Sequence, residues 1–406
     1  MYLTKLQECG ILMLSMSYHS ESNKLEVLHS FFDSASLSAP DIVKASALSR
    51  PTVDALLNEL LSKGLISKRG TGQSTGGRKP VLFSLNGTGR FSIGVAVSIP
   101  GISGVVVDLS GTIHASESIA LPIWSSGEDF VSCVAELILR LIAKVPDAKR
   151  FQGIGVAIPG LVDQEKGISV FFSRLSNFFN APLKDMLEKK VGCSVSVSRY
   201  LGSAAYSQLL PLQNNANKSL MYVELAEGIE MALFYQGRPY RGHILNEGGL
   251  GHMVIEKGGR TCLCGAKGCL EAYASNRVLI DEAKLQVRNG VVSKVPQDRE
   301  MDENEFYYLV RGNDPLALSV AEKGIDYLAL GIANVVNLLN PTKIIISGAI
   351  ASAGEGFLDG IRTRIRHYTL KALGEELDIV FLPFRLEEGA KGVALLRLYQ
   401  DLNILN

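Results

Sequence analysis

This 406-residue chain has no surplus of charge of either sign: 41 Lys and Arg stand against 41 Asp and Glu. Affinity for nucleic acid therefore depends on where the cations sit and not on their total. Cysteine is scarce, with 6 in the chain, which excludes the disulfide framework of a secreted scaffold. Cys9, Cys133 and Cys193 are scattered and read as reduced, buried small hydrophobes, so the expected location is cytoplasmic. Long apolar runs are missing as well, and none approaches the roughly 18 residues that a membrane span requires. Residues 1–20 hold a short apolar core, but Glu8 lies in its flank and no small-residue cleavage site follows, which argues against a signal peptide. Residues 1–23 read instead as an arm or leading helix. What is present is 47% hydrophobic content and 20% charge, enough to bury the cores of two or three domains.

The zero balance hides a local segregation. NKLEVLHSFFDSA places Leu25, Leu28 and Phe32 on one helical face, and SAPDIVKASA offers Ser38 as an N-cap with Pro40 in the first turn. A third helix is better marked, with Ser49 as cap, Pro51 in the first turn and Gly64 as the stop. Val53, Leu56, Leu57, Leu60 and Leu61 form its apolar stripe, leaving Arg50, Thr52, Asp54, Ala55 and Asn58 outward. Then LISKRGTGQSTGGRKPVLFSLN reads as two strands around a Gly-rich tip, the shape of a wing. From Lys63 to Arg90 there are six cations, Lys63, Lys68, Arg69, Arg78, Lys79 and Arg90, and no acid. Three helices followed by a basic hairpin predict a winged helix-turn-helix domain over 24–89 that binds double-stranded DNA. Lys68, Arg69, Arg78 and Lys79 would contact phosphates, whereas Arg50, Thr52 and Asn58 would read bases. The plain alternatives are a solvated linker and, for Thr52 and Asn58, ordinary exposed helix positions.

Beyond residue 90 the pattern changes to alternating strands and helices. SIGVAVS, SGVVVDL and GIGVAI read as strands and EDFVSCVAELILRLIAKV as a helix; SLMYVEL and MALFYQG then repeat the strand, turn, strand pattern. The echo points to a duplicated α/β unit. DPLALSVAEKGIDYLALGIANVVNLLN is a long helix, KIIISGAI a strand with a glycine turn, and KGVALLRLYQDL a terminal helix.

Three of the cysteines crowd together in GHMVIEKGGRTCLCGAKGCLEAYAS at 251–275. His252, Cys262, Cys264 and Cys269 supply four ligands suited to Zn2+, and Gly265 and Gly268 let the chain fold tightly around an ion. Four protein ligands fill a tetrahedron and leave no position for an activated water, so the zinc would be structural.

At these residues the chain resembles the ROK family of repressors and sugar kinases. The stretch matches the family's G-H then C-x-C-G-x-x-G-C-x-E signature, and GVAIPGLVD at 155–163 matches its Pro-Gly loop. The resemblance covers residues 24–406, including the winged helix that only the regulator branch, of the NagC, Mlc and XylR type, carries. It implies an α/β, two-lobed actin-like (ribonuclease H-like) fold with sugar bound between the lobes. The first lobe would be 90–198 plus 383–406, and the second 199–382, holding the zinc site.

The kinase motifs of the family are degenerate here. Its D-x-G-G-T phosphate turn falls on Ala96 for the Asp, Ser98 and Ile99 for the glycines and Pro100 for the threonine. Its G-T-G-x-G turn falls on AEGIE, where Glu227 and Glu230 would oppose a polyphosphate. Arg199 and Tyr200 stand where kinases carry Asn and the catalytic Asp, which removes a general base worth roughly two to four powers of ten in rate. The E-x-G-H sugar motif reads Gly249-Leu250-Gly251-His252, with Glu247 two residues away. His252, Glu271 and Glu247 are thus the candidate effector contacts, and Glu271 could equally be a local cap, just as Arg199 and Tyr200 could be an ordinary packed pair.

The leading expectation is a sequence-specific transcriptional repressor of carbohydrate uptake or catabolism genes, with no catalytic residues and a non-catalytic sugar-kinase-like effector domain. It would be a homodimer or tetramer on an inverted-repeat operator, answering to a sugar or sugar phosphate. The alternatives are a sugar kinase with an accessory DNA-binding domain and a regulator controlled by a protein partner.

Overall fold

Serine and proline punctuate the N-terminal segment, and helices begin where they stand. Ser38 Oγ accepts from the Asp41 N–H at 3.4 Å while the Ser38 N–H donates to Asp41 Oδ2 at 2.9 Å. This reciprocal cap opens α1 (Ala39–Ala45), and the two hydrogen bonds from Ser38 hold the Asp41 carboxyl below its usual range. Ser49 caps α2 (Arg50–Ser62) through the Thr52 N–H, with Pro51 in the first turn. Val53, Leu56, Leu57 and Leu60 of α2 are buried, whereas Leu61, expected among them, is only half-buried.

The computed structural model describes residues 23–24, 26–28, 30–31, 34–46, 48–72, 79–98, 101–120, 124, 126–172, 175, 178–209, 219–226, 228–235, 238–240, 242 and 248–402. The described part of 23–30 is helical, although Leu25 and Phe32 of the expected apolar face lie outside the described residues, as does Cys9. Strands β1 (Leu37–Ser38), β2 (Ile66–Thr71) and β3 (Val81–Leu85) make a small antiparallel sheet in the order β1-β3-β2. Helix, strand, two helices and a hairpin follow one another as a winged helix requires. The connection into the next layer is not a solvated linker. Asn86 Nδ2 donates to Gly64 O at 2.9 Å, Arg90 Nη2 to Lys63 O at 2.8 Å and Arg150 Nη1 to Thr88 O at 3.0 Å.

The chain divides into two compact units, 1–216 with 386–406, and 217–385. In the first, β4 (Phe91–Ser98), β5 (Gly101–Asp108), β6 (Ile113–Ala120), β7 (Phe151–Ile158) and β10 (Val195–Arg199) form one sheet in the order β10-β7-β4-β5-β6. The pairs β4/β5 and β5/β6 are antiparallel; β4/β7 and β7/β10 are parallel. A short hairpin, β8 (Leu161–Asp163) with β9 (Ile168–Phe171), follows β7. Helices α3 (Gly127–Ile142) and α4 (Leu183–Val191) bury Phe130, Val134, Ile138, Leu183 and Leu187 with the strand residues of one core. The C-terminal helix Leu386–Asp401 lies so close to the sheet that a Cβ on Gly94 would stand 1.9 Å from Ala390 O, and one on Gly155 2.4 Å from Val393 O. Helix α5 (Tyr200–Leu209) packs on that same C-terminal helix, with Gln208 Nε2 donating to Glu388 Oε2 at 3.1 Å. The first unit therefore includes α5, which the expected lobe boundary at 198/199 assigns to the second lobe.

The second unit repeats the plan. Strands β11 (Leu220–Leu225), β12 (Ile229–Tyr235), β13 (Arg238–Pro239), β14 (Lys343–Gly348) and β15 (Asp378–Leu382) are ordered β13-β12-β11-β14-β15, with β11/β12 antiparallel and β11/β14 and β14/β15 parallel. In both sheets the third strand flanks the second, the second the first, and the first is followed by the two parallel strands. This is the duplication that the sequence echo predicts, and it gives the two-lobed actin-like fold. Helices α6 (Glu271–Ala274), α7 (Asn276–Arg288), α8 (Glu303–Arg311), α9 (Pro315–Leu339), α10 (Glu355–Tyr368) and α11 (Lys371–Glu375) accompany this sheet. The long α9 opens on Asp314, whose side chain accepts from the Ala317 N–H, and ends on Asn340 in the left-handed region. No helix among the described residues is long and apolar enough to cross a membrane.

Candidate functional site

Two regions carry chemistry. The first is the outward side of α2 and the wing. Arg50, Asn58, Lys68, Arg69 and Lys79 are exposed and Thr52 half-buried; Arg78 lies outside the described residues. Not every cation of this stretch is available to phosphate. Lys63 Nζ lies 2.7 Å from Glu59 Oε1, a carboxylate that Lys24 also meets, and these hydrogen bonds hold Glu59 below the usual range. Arg90 spends its Nη atoms on the Gly89 and Lys63 carbonyls. Arg69 Nε donates to Ser84 Oγ at 3.0 Å, which holds its stem along β3. Lys68 and Arg69 therefore stand on a braced strand, with Lys79 just beyond the tip.

The second region is the knuckle of 249–275. A turn of 3-10 helix at Leu250–His252 presents His252, and paired main-chain contacts, Val254 with Cys269 and Thr261 with Lys267, close the loop that bears the cysteines. Its tight reversals put Gly265 and Gly268 at φ of 89° and 85°, and a Cβ on Gly268 would collide with Glu256 O at 1.8 Å. One donor atom from each of His252, Cys262, Cys264 and Cys269 falls within 4.8 Å of all the others. Cys262 Sγ lies 3.8 Å from His252 Nδ1 and Cys264 Sγ lies 3.8 Å from Cys269 Sγ. Metal–sulfur bonds of about 2.3 Å in a tetrahedron require sulfurs about 3.8 Å apart, so this donor set fits an ion such as zinc. Burial, and then the neighbouring thiols, push the Cys269 thiol up to about 12, whereas the main-chain hydrogen bond at Ala266 draws Cys264 down. A bound cation would supply the charge that lets Cys269 ionise there. Because Nδ1 of His252 faces Cys262, the ring keeps Nε2 for a second partner.

The loop has a brace that its sequence did not advertise. Tyr273 Oη accepts from the Arg260 N–H at 2.6 Å, and its ring stacks against Tyr327 at 4.5 Å between centroids with the Arg260 guanidinium 5.1 Å from its centre. The segment just after Cys269 then pins the turn between β11 and β12. Glu271 Oε2 accepts from the Ile229 N–H at 3.2 Å, and a Cβ on Gly228 would stand 2.8 Å from that oxygen. Asn276 Nδ2 donates to Leu225 O at 3.2 Å, and Asn276 in turn accepts from Tyr307 Oη at 2.9 Å. Glu271 is thus engaged as a local cap of this turn. Glu247, its expected companion, lies outside the described residues.

The turn that Glu271 caps is the one aligned with the second phosphate turn of the kinases. Glu227 is outside the described residues, but Glu230 pairs directly across the ladder with Glu224. Burial raises the Glu224 carboxyl from 4.5 to about 8, helped by Glu230 and Glu303, and its Oε2 is buried without a hydrogen-bond partner. Sequence reasoning missed Glu224, whose role depends on hairpin register. In the first unit, Ala96, which the resemblance aligns with the first kinase Asp, is fully buried. Arg199 is buried with Nε donating to Gly160 O at 3.1 Å, and the Tyr200 ring is packed against Gly389, whose Cβ would lie 2.3 Å away. Cys133 and Cys193, expected as buried thiols, are half-buried.

The ROK family profile matches residues 92–399. The chain is 27% identical to the xylose repressor of Bacillus spizizenii over 379 residues, 92% of this chain and 93% of that protein. It is similar in fold to a crystal structure of a ROK family transcriptional regulator, a homologue of the Escherichia coli Mlc protein, with a TM-score of 0.78, 24% identity and coverage of 95% and 98% of the two chains. A ROK hexokinase from Thermus thermophilus superposes with a TM-score of 0.64 and 24% identity, spanning 99% of its own chain but 77% of this one.

Proposed function

The chain belongs to the ROK family, and from that premise we propose that it is a sequence-specific DNA-binding repressor of carbohydrate uptake or catabolism genes. The observation that carries this reading is the two helices and hairpin ahead of the family domain, with Lys68, Arg69 and Lys79 exposed on the hairpin and Arg50 and Asn58 exposed on α2. Similarity to a xylose repressor extends over 92% of the chain, whereas the hexokinase likeness spans 77%. Phosphate contacts from the wing set the register and α2 reads the major groove. The active form is a homodimer, or a dimer of dimers, on an inverted repeat with half-sites about one or two helical turns apart. Such a protein works in the cytoplasm.

The family domain acts as a sensor and not as a kinase. Buried Ala96, the acidic pair Glu224 and Glu230, and Arg199 and Tyr200 at the base position each remove something phosphoryl transfer needs. A sugar or sugar phosphate held by His252 Nε2 near Glu271 shifts the protein between two states of unequal DNA affinity. His252, Cys262, Cys264 and Cys269 hold a structural zinc that supplies the fixed geometry of that neighbourhood.

The test is to select bound DNA from a random pool with the full chain, then repeat binding with pentoses, hexoses, amino sugars and sugar phosphates. The expected result is an enriched inverted repeat whose affinity one sugar class lowers at least tenfold. Enrichment without any response to sugars transfers control to a protein partner. ATP-dependent phosphorylation of a sugar by the purified chain would overturn the non-catalytic reading.

A further inference from the structure

The first turn of α2 breaks a rule that α1 obeys. Helix α1 has an acid, Asp41, in its first turn and a cation, Lys44, in its last, as the helix dipole favours. Helix α2 has no acid in its first turn and opens on Arg50, a cation at the positive end of the dipole. The order Arg50 then Asp54, spaced i, i+4, is also the less favourable one for a helical ion pair. Yet Arg50 Nε sits 2.8 Å from Asp54 Oδ2, with the two side chains 53% and 48% exposed. An exposed pair of this kind adds little to stability, so stability does not explain the arrangement. Departures from local rules of this sort concentrate at functional positions.

We propose that Asp54 is a specificity-determining residue, one that positions Arg50 for a guanine in the operator; the proposal rests on the DNA-binding reading. The Asp54 carboxylate takes the Nε–H and so fixes the plane of the guanidinium. Nη1 and Nη2 then remain to donate to guanine O6 and N7 in the major groove, the two-point contact that separates G·C from the other pairs. Ala55, exposed beside them with a single methyl, leaves room for the groove floor to approach. Asp54 itself carries the sign that DNA repels, so it weakens general affinity while it raises selectivity.

This opposition supplies the test. The full chain and its Asp54→Asn, Asp54→Glu, Asp54→Ala and Arg50→Ala variants are each put through selection from a random pool, and affinity is measured on selected and on random DNA. Arg50→Ala is expected to lose about tenfold or more of its discrimination at one G·C position per half-site. Asp54→Asn and Asp54→Ala lose about three- to tenfold at that same position while binding random DNA about two- to threefold more tightly, and Asp54→Glu restores part of the preference. A variant that is merely misfolded loses both kinds of binding, so the opposite directions identify positioning. An unchanged base profile in the Asp54 variants, or a change at a different base pair from that of Arg50→Ala, overturns the proposal while leaving DNA recognition intact. A parent chain that enriches no sequence overturns the DNA-binding reading, and the role of Asp54 with it.

Discussion

The wing and the β11–β12 hairpin are both short antiparallel turns, and they answer phosphate with opposite charge. Between Lys63 and Arg90 the chain has cations and no acid, and a bulge between Lys68 and Gly70 breaks the ladder where Lys68 and Arg69 stand exposed. At the hairpin that the resemblance aligns with a kinase phosphate turn, the exposed Glu230 supplies the negative charge, directly across the ladder from Glu224, whose carboxyl burial raises to about 8. Geometry alone would not separate a phosphate cradle from its relic. Charge placement does: on the proposed reading, a surface suited to phosphate is kept where DNA would lie and lost where a nucleotide would.

The largest perturbation should come from the metal knuckle that anchors the acidic hairpin. Cys269→Ser, or stripping with a strong chelator, is expected to abolish the one equivalent of bound metal and to cost at least about 4 kcal/mol in a denaturant titration. The Ile229 amide, held by Glu271 two residues beyond Cys269, should then exchange faster with solvent. An unaltered metal content and unfolding midpoint in Cys269→Ser would separate the knuckle from any ion.

A smaller effect tests the acid itself. The folded Glu224 carboxyl titrates near 8 and the unfolded one near 4.5, so as pH rises between those values the unfolded chain ionises first and the folded state loses stability. Glu224→Gln removes that loss. It should stabilise the protein by about 4 kcal/mol at pH 8 and by less than about 0.5 kcal/mol near pH 4.5, measured by urea unfolding at both values. Equal curves at pH 8 would mean that the carboxylate is solvated after all.

The smallest effect belongs to the wing. Lys79→Ala should lower affinity for every DNA sequence by about three- to tenfold and reduce the salt slope by about 0.9. Arg90→Ala should leave the slope unchanged, because its Nη atoms are held by the Gly89 and Lys63 carbonyls. Equal slopes for the two variants would erase the distinction between a braced cation and an available one.

Much of this architecture was legible in the sequence because its signals are local. Ser38, Ser49 and the prolines after them announce their helices, and the four residues whose donor atoms could hold a metal sit within eighteen positions of chain. Strand β6 was missed for a physical reason. Its half-buried side carries Glu117 among Ile113, Ala115 and Ile119, where the acid meets Arg140 and Lys144. Glu117 is accordingly held below the usual range, first by Lys144 and then by Arg140. The association of α5 with the first unit was not legible, because its partners, among them Glu388 and Gly389, lie about 180 residues further along the chain. Asp54 was read only as an outward-facing residue and Glu224 received no role, since the neighbour of each is supplied by helix spacing or ladder register. Glu271 was identified as a candidate contact, and the structure adds the main-chain group it holds.

On the proposed reading, phosphate recognition resides in the winged helix and is gone from the family domain. It is tested most directly by the salt dependence of binding to DNA selected by the full chain, measured with and without millimolar Mg-ATP. The expected log–log slope is about −3 or steeper, the same in both conditions. A flat dependence, or displacement of the DNA by ATP, would contradict it.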